Sequence, residues 1–198
     1  MYIAIEGNIG AGKSTVLTPL AEELGFTLIQ EGIETDEGFQ KTLAAFYADD
    51  SVENFVALQE YLANYRANIV KNLDPNKNYI MERSLQGAAL FSIAENHTNT
   101  ATWILQNFKH VPQPLHYIYL DCPAHVCLQR IAKRGRECEK TIPIEYLQNL
   151  EYAHREWAAM GEWAGKVTVV DSSGYVNIEE LANKLRNILT LKVGRFVC

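Results

Sequence analysis

The segment Gly7-Asn8-Ile9-Gly10-Ala11-Gly12-Lys13-Ser14 follows the apolar run Tyr2-Ile3-Ala4-Ile5 and precedes a stretch carrying Val16, Leu17, Leu20, Ala21 and Leu24 at helical spacing. It fits G-x-x-x-x-G-K-[ST] between a strand and a helix, which is the context that spacing needs. Glycines let successive backbone N–H groups turn inward around a phosphate, and the following helix adds its positive end. Lys13 supplies a point charge and the Ser14 hydroxyl can ligate Mg²⁺. The loop points to a nucleoside triphosphate and leaves a kinase, a GTPase switch and a motor ATPase open. A GTPase base reader would need Asn-Lys-x-Asp, but Asn76-Lys77 is followed by Asn78-Tyr79.

Working outward, further short β-branched and aromatic runs fall at 26–29, 79–81, 116–120 and 166–170, separated by helical patterns. Near-continuous apolar strands suit a sheet covered on both faces, so the pattern predicts an α/β protein with a parallel sheet. Pro19 sits inside the first helical pattern, where a kink or a local irregularity is expected. A long helix is predicted over 52–73, with Phe55, Leu58, Leu62, Tyr65, Ile69 and Leu73 on one face and Gln59 and Arg66 beside it. No linker or repeat interrupts the 198 residues, so one domain over 1–198 is expected.

Composition narrows the partners. No segment approaches the ~18 apolar residues of a membrane span, and a formal charge of −6 repels long nucleic acid, so neither a membrane nor a nucleic-acid polymer is expected. The four cysteines, Cys122, Cys127, Cys138 and Cys198, show no C-x-x-C pair and read as reduced thiols. With no basic leader at the N-terminus, a cytoplasmic location is expected.

Three further segments carry chemistry. Met81-Glu82-Arg83-Ser84 ends a predicted strand, and carboxyl ends of parallel strands face the ligand crevice. There a carboxylate can hold Mg²⁺ and a guanidinium can steady a substrate oxygen. Residues 130–140 contain Arg130, Lys133, Arg134, Arg136 and Lys140, five cations in eleven residues. Helix C-termini attract cations for dipole reasons, but so dense a cluster suits a lid that closes over a triphosphate. Glu31 follows the second strand, expected beside the strand of the phosphate loop, where it can accept the proton of a substrate hydroxyl.

Together Ile5-Glu6-Gly7-Asn8-Ile9-Gly10-Ala11-Gly12-Lys13-Ser14-Thr15, Met81-Glu82-Arg83-Ser84 and Lys133-Arg134-Gly135-Arg136-Glu137-Cys138-Glu139 resemble three motifs of the deoxyribonucleoside kinase family. The similarity runs over about residues 3–157. It implies a P-loop NTPase three-layer α/β fold with a five-stranded parallel sheet, a homodimer, and Mg²⁺-dependent transfer of the ATP γ-phosphate to a deoxyribonucleoside 5′-hydroxyl. It implies that Gly7, Asn8, Ile9, Gly10, Ala11, Gly12, Lys13, Ser14 and Thr15 cradle the ATP, and that Glu31 is the catalytic base. Lys13, Arg83 and the lid arginines Arg130, Arg134 and Arg136 match the phosphate and transition-state stabilisers, and Ser14 and Glu82 the Mg²⁺ site. Tyr47 and Glu139 resemble the pair that holds the sugar 3′-hydroxyl. Gln59 resembles the amide that reads the base, with Ile9 and Leu62 lining the pocket. Arg66 resembles an arginine beside the base whose usual aspartate partner is replaced by Ala88, which leaves it to bind an exocyclic carbonyl or swing into solvent. An ungapped match puts the base-stacking aromatic at Ser92, with Phe91 one residue away.

Two competing readings remain at this level. A monophosphate kinase of thymidylate-kinase type shares the loop, the Mg²⁺ and the lid, but normally grips its acceptor phosphate with extra arginines, whereas the Glu31 region is acidic. A P-loop module that binds ATP without transferring it would leave Glu31, Glu82, Arg83 and the lid arginines unexplained.

Overall fold

The computed structural model describes residues 1–32, 36–49, 51–136 and 139–193. Strand β1 (Tyr2–Gly7) leads through the glycine loop into α1 (Lys13–Leu24), followed by β2 (Thr27–Ile29), α2 (Glu37–Ala48) and α3 (Val52–Lys71). Next come β3 (Tyr79–Glu82), α4 (Leu85–Ala94), α5 (Thr98–Asn107), β4 (Tyr117–Asp121), α6 (Ala124–Arg134) and α7 (Ile144–Ala159). A short 3₁₀ turn (Gly161–Trp163), β5 (Val167–Asp171) and α8 (Ile178–Val193) follow.

The five strands form one parallel sheet in the order β2-β3-β1-β4-β5. The position expected for Glu31 is corrected here: β2 is an edge strand and β3 lies between it and β1. Every residue of β1 is buried, as a central strand covered on both faces requires. Alternate residues serve opposite layers. Ile3, Ile5, Ile118 and Leu120 pack with Leu17 and Leu20 of α1 and with Leu181 and Leu185 of α8. On the other face Tyr2, Tyr79 and Met81 meet Ala63, Ala67 and Val70 of α3, while Tyr117 and Tyr119 meet Leu150, Ala153 and Trp157 of α7.

Helix α1 runs through Pro19 and ends at Gly25, which takes φ 67°. Small alanines on α3 and α4 let both helices lie close to the sheet; Ala88 is one of them. Cys122 and Cys127 are buried free thiols, whereas Cys138 and Cys198 lie outside the described residues.

Candidate active site

Strands β1, β2 and β3 all deliver their carboxyl ends to one open cleft of about 1460 Å³. From the loop and α1 it takes Ile9, Gly10, Lys13 and Ser14; from the end of β2, Glu31; from β3 and the turn after it, Glu82 and Arg83. Helix α3 contributes Gln59, Leu62 and Arg66, which at i, i+3 and i+7 form one face about 10 Å long. The segment after α6 contributes Arg134, Arg136 and Glu139. Residues as distant in sequence as Ile9 and Tyr146 thus share one cavity because the parallel sheet aligns its strand ends.

The glycine loop is shaped by its surroundings. Gly10 has φ 80°, and a Cβ there would lie 2.6 Å from the Cys127 carbonyl oxygen, so no larger residue fits. Gly12 begins α1 in the left-handed region at φ 94°. Asn8 is buried: its Nδ2 donates to the Leu147 carbonyl at 2.8 Å, and its Oδ1 accepts from the Ile9 N–H at 2.8 Å. Lys13 Nζ donates to the carbonyls of Asn8 (2.8 Å) and Gly7 (3.3 Å). Burial first, and then the Arg83 charge, push the Lys13 ammonium down to about 8.

Glu31 is held from two sides. Its Oε1 accepts from Arg66 Nη2, and its Oε2 accepts from Arg83 Nε at 3.2 Å. Burial alone would raise this carboxyl, but Arg83, Arg66 and Lys13 together hold it below the usual glutamate value. The pairing also corrects the expectation of an unpartnered Arg66: besides Glu31, its Nη1 reaches the Ser84 carbonyl at 3.2 Å.

Arg83 adopts φ 62°, a conformation that costs a non-glycine residue on the order of 1–3 kcal/mol. Its N–H donates to Ile5 O at 2.9 Å, its Nη1 donates to Gly7 O at 3.1 Å, and its guanidinium lies 4.4 Å over the Phe91 ring. That strained turn aims the side chain back over the phosphate loop. Beneath it Glu6 Oε1 accepts from Ser84 Oγ at 2.6 Å, and burial raises the Glu6 carboxyl despite Arg83, Arg66 and Lys13 nearby. Glu6 carries no sequence signal beyond a carboxylate inside an apolar strand.

Several expected residues sit elsewhere. Arg130 does not line the cleft: its Nη1 reaches Ala11 O at 3.4 Å and its Nη2 reaches Ser173 O at 3.0 Å, bracing the back of the loop. Ala88 faces α3 in the core instead of the cleft. Ser92 is buried and donates to Ala88 O at 3.0 Å, so of these two neighbours it is Phe91 that lines the cleft. Glu139 accepts from Arg134 Nη2 at 2.7 Å and lies 3.6 Å from Arg136 Nη1, so these three cleft residues at the end of α6 and after it pair with one another. Tyr47 belongs to α2, but its side chain lies outside the described residues, as do Glu137 and Cys138. Phe39, Leu43, Phe46 and Tyr146 also line the cleft, and in sequence they look like any helical core residues.

A phosphate loop at the centre of a parallel sheet, sharing one cleft with a carboxylate held by two arginines, fits a P-loop phosphotransferase. The sequence model described as "Deoxynucleoside kinase" matches residues 3–193, and the chain belongs to that family. It is 30% identical over 93% of its length to a deoxyadenosine kinase of Dictyostelium discoideum, covering 78% of that protein. A deoxyguanosine kinase of the same organism is 28% identical over 93% of this chain and 68% of its own. Among solved structures, deoxyadenosine kinase from M. mycoides with bound dATP superposes with a TM-score of 0.77 at 28% identity, covering 94% of this chain and 99% of that one.

Proposed function

We propose that this deoxynucleoside kinase transfers the γ-phosphate of ATP to the 5′-hydroxyl of a deoxyribonucleoside, with Glu31 as the general base. The observation that carries this reading is the shared cleft: the Glu31 carboxylate, ionised and held by two arginines, lies in the same cavity as Lys13 and Ser14 of the phosphate loop. A carboxylate with so low a proton affinity is a weak base towards a ground-state alcohol. Proton transfer late in phosphoryl transfer asks chiefly for position, because the attacking oxygen becomes acidic as it bonds to phosphorus.

Lys13 and Arg83 place positive charge along the transferred group, and Arg134 and Arg136 approach it from the lid segment. Gln59 offers a donor and an acceptor in one plane, as a nucleobase edge does; its Oε1 is buried without a partner, which suits an incoming N–H. Phe91 supplies an aromatic face, and Leu62 and Ile9 supply apolar walls. Ser14 and Glu82 line the same cleft and offer the one hydroxyl and one carboxylate that suffice for a phosphate-bound Mg²⁺. When bound, that ion would neutralise phosphate charge.

The deciding experiment measures transfer from ATP with Mg²⁺ to deoxyadenosine, deoxyguanosine, deoxycytidine, thymidine and thymidylate under one condition. Transfer to nucleosides and not to thymidylate is expected. Transfer to thymidylate alone would replace the reading with a monophosphate kinase, and transfer to none would leave a nucleotide-binding module.

A further inference from the structure

Arg66 projects from α3 into the cleft with its side chain 4% exposed, and both terminal nitrogens of its guanidinium are committed. Nη2 holds Glu31 Oε1 and Nη1 holds the Ser84 carbonyl. Ser84 is itself fixed, its hydroxyl donating to Glu6 and accepting from the Gln86 N–H as the N-cap of α4. Turning the guanidinium towards a nucleobase would break its contact with the Ser84 carbonyl and leave Glu31 with one arginine instead of two. No carboxylate on α4 competes for the guanidinium, since position 88 is an alanine packed against α3. Nε makes no hydrogen bond, and each terminal nitrogen is anchored through one of its N–H groups.

We infer that Arg66 is a positioning residue for the Glu31 carboxylate and does not read the nucleobase. With Arg83 Nε on the other oxygen, two guanidinia from different elements fix the plane of the carboxylate and the direction of its free lone pairs. Base discrimination is then left to Gln59, two helical turns away on the same face of α3. This inference rests on the assignment of Glu31 as the general base.

The two roles separate in kinetics. A base reader, when removed, changes KM for some nucleosides and reorders them. A positioning residue changes kcat for all of them alike. In Arg66→Met, kcat is expected to fall by about 10- to 100-fold for each nucleoside, with the order of preference kept. The charges facing Glu31 are Arg66 from α3, Arg83 from the turn after β3 and Lys13 from α1, with the lid's Arg134, Arg136 and Glu139 lining the same cleft. Loss of one of these cations moves the acid limb of kcat/KM to higher pH, by about one unit.

The same shift is read without turnover by following the carboxyl carbon of Glu31 in ¹³C-glutamate-labelled enzyme, its resonance assigned with Glu31→Gln. In Arg66→Met this carbon is expected to titrate at higher pH than in wild type. An unmoved titration, or a reordering of nucleosides carried by KM, would overturn the inference. If Arg66→Met does not fold, Arg66→Lys retains a charge near Glu31 but cannot bridge to Ser84. It should show a smaller uniform loss of kcat, and any reordering there sinks the idea equally. Absence of transfer by the wild-type enzyme would instead count against the proposed function, while the carboxyl titration would still decide the role of Arg66.

Discussion

At Glu31 the arginines outweigh burial, and that balance has two measurable consequences. Glu31→Gln keeps the shape and removes the acceptor for a proton. Its kcat should fall by about 10²–10⁴-fold while the nucleoside KM changes only a few-fold, and steady-state kinetics at saturating ATP check this. Because the folded value lies below the unfolded one, Glu31 contributes stability that is present above the unfolded glutamate pKa of 4.5 and is lost as pH falls through the lower folded value. On α4, Gly87 is spared a side chain for a physical reason: a Cβ would lie 2.6 Å from the buried Glu6 Oε2. Gly87→Ala is expected to lower stability by about 1–3 kcal/mol in urea unfolding, since neither the sheet nor α4 can retreat. A variant as stable as wild type would mean that Glu6 has room to move.

At the scale of elements, α7 contributes a histidine that must stay neutral. His154 stacks on Tyr119, donates from Nδ1 to the Leu150 carbonyl at 2.7 Å, and leaves Nε2 buried without a partner. Burial pushes it down to about 3. Between pH 6.5 and that value the unfolded chain binds a proton that the folded one does not, so stability falls with pH by about 1.4 kcal/mol per unit. His154→Phe should shrink the stability difference between pH 7 and pH 5 by about 2 kcal/mol, which urea titrations at the two pH values can read. An unchanged difference would mean that His154 is solvated. His154 also shows where sequence legibility stops. The glycine loop, the turn after β3 and the cation-rich lid could each be read locally, because each has a spacing that its chemistry dictates. The partner of Arg66 could not: Glu31 lies 35 residues away, and the pairing depends on β3 entering the sheet between β2 and β1. Phe91 and Ser92 differ by one helical position, about 100° of rotation, which no motif specifies but packing against α3 and α7 does.

Across the whole molecule, charges of both signs meet in the cleft. The chain carries −6, and at the carboxyl end of the sheet Lys13, Arg66, Arg83, Arg134 and Arg136 line the cleft together with Glu31, Asp49, Glu82, Glu95 and Glu139. Within this mixed set Lys13 still has its proton affinity lowered, by burial first and then by Arg83, despite Glu82, Glu31 and Glu6 nearby. A polyphosphate beside Lys13 and Arg83 would offset the repulsion between these two, so its binding is expected to stabilise the folded chain. Lys13→Met takes away the buried charge, at the expense of two hydrogen bonds to loop carbonyls. It should melt no lower than wild type without nucleotide. Wild type with ATP at about 100 times its Kd gains about 2.7 kcal/mol, or roughly 5–10 °C in Tm, and the variant should lose most of that rise. Calorimetry with and without nucleotide separates the two effects. A variant that melts several degrees lower and still responds fully to ATP would show that Lys13 serves to brace the loop and that the phosphate is held by backbone N–H groups alone.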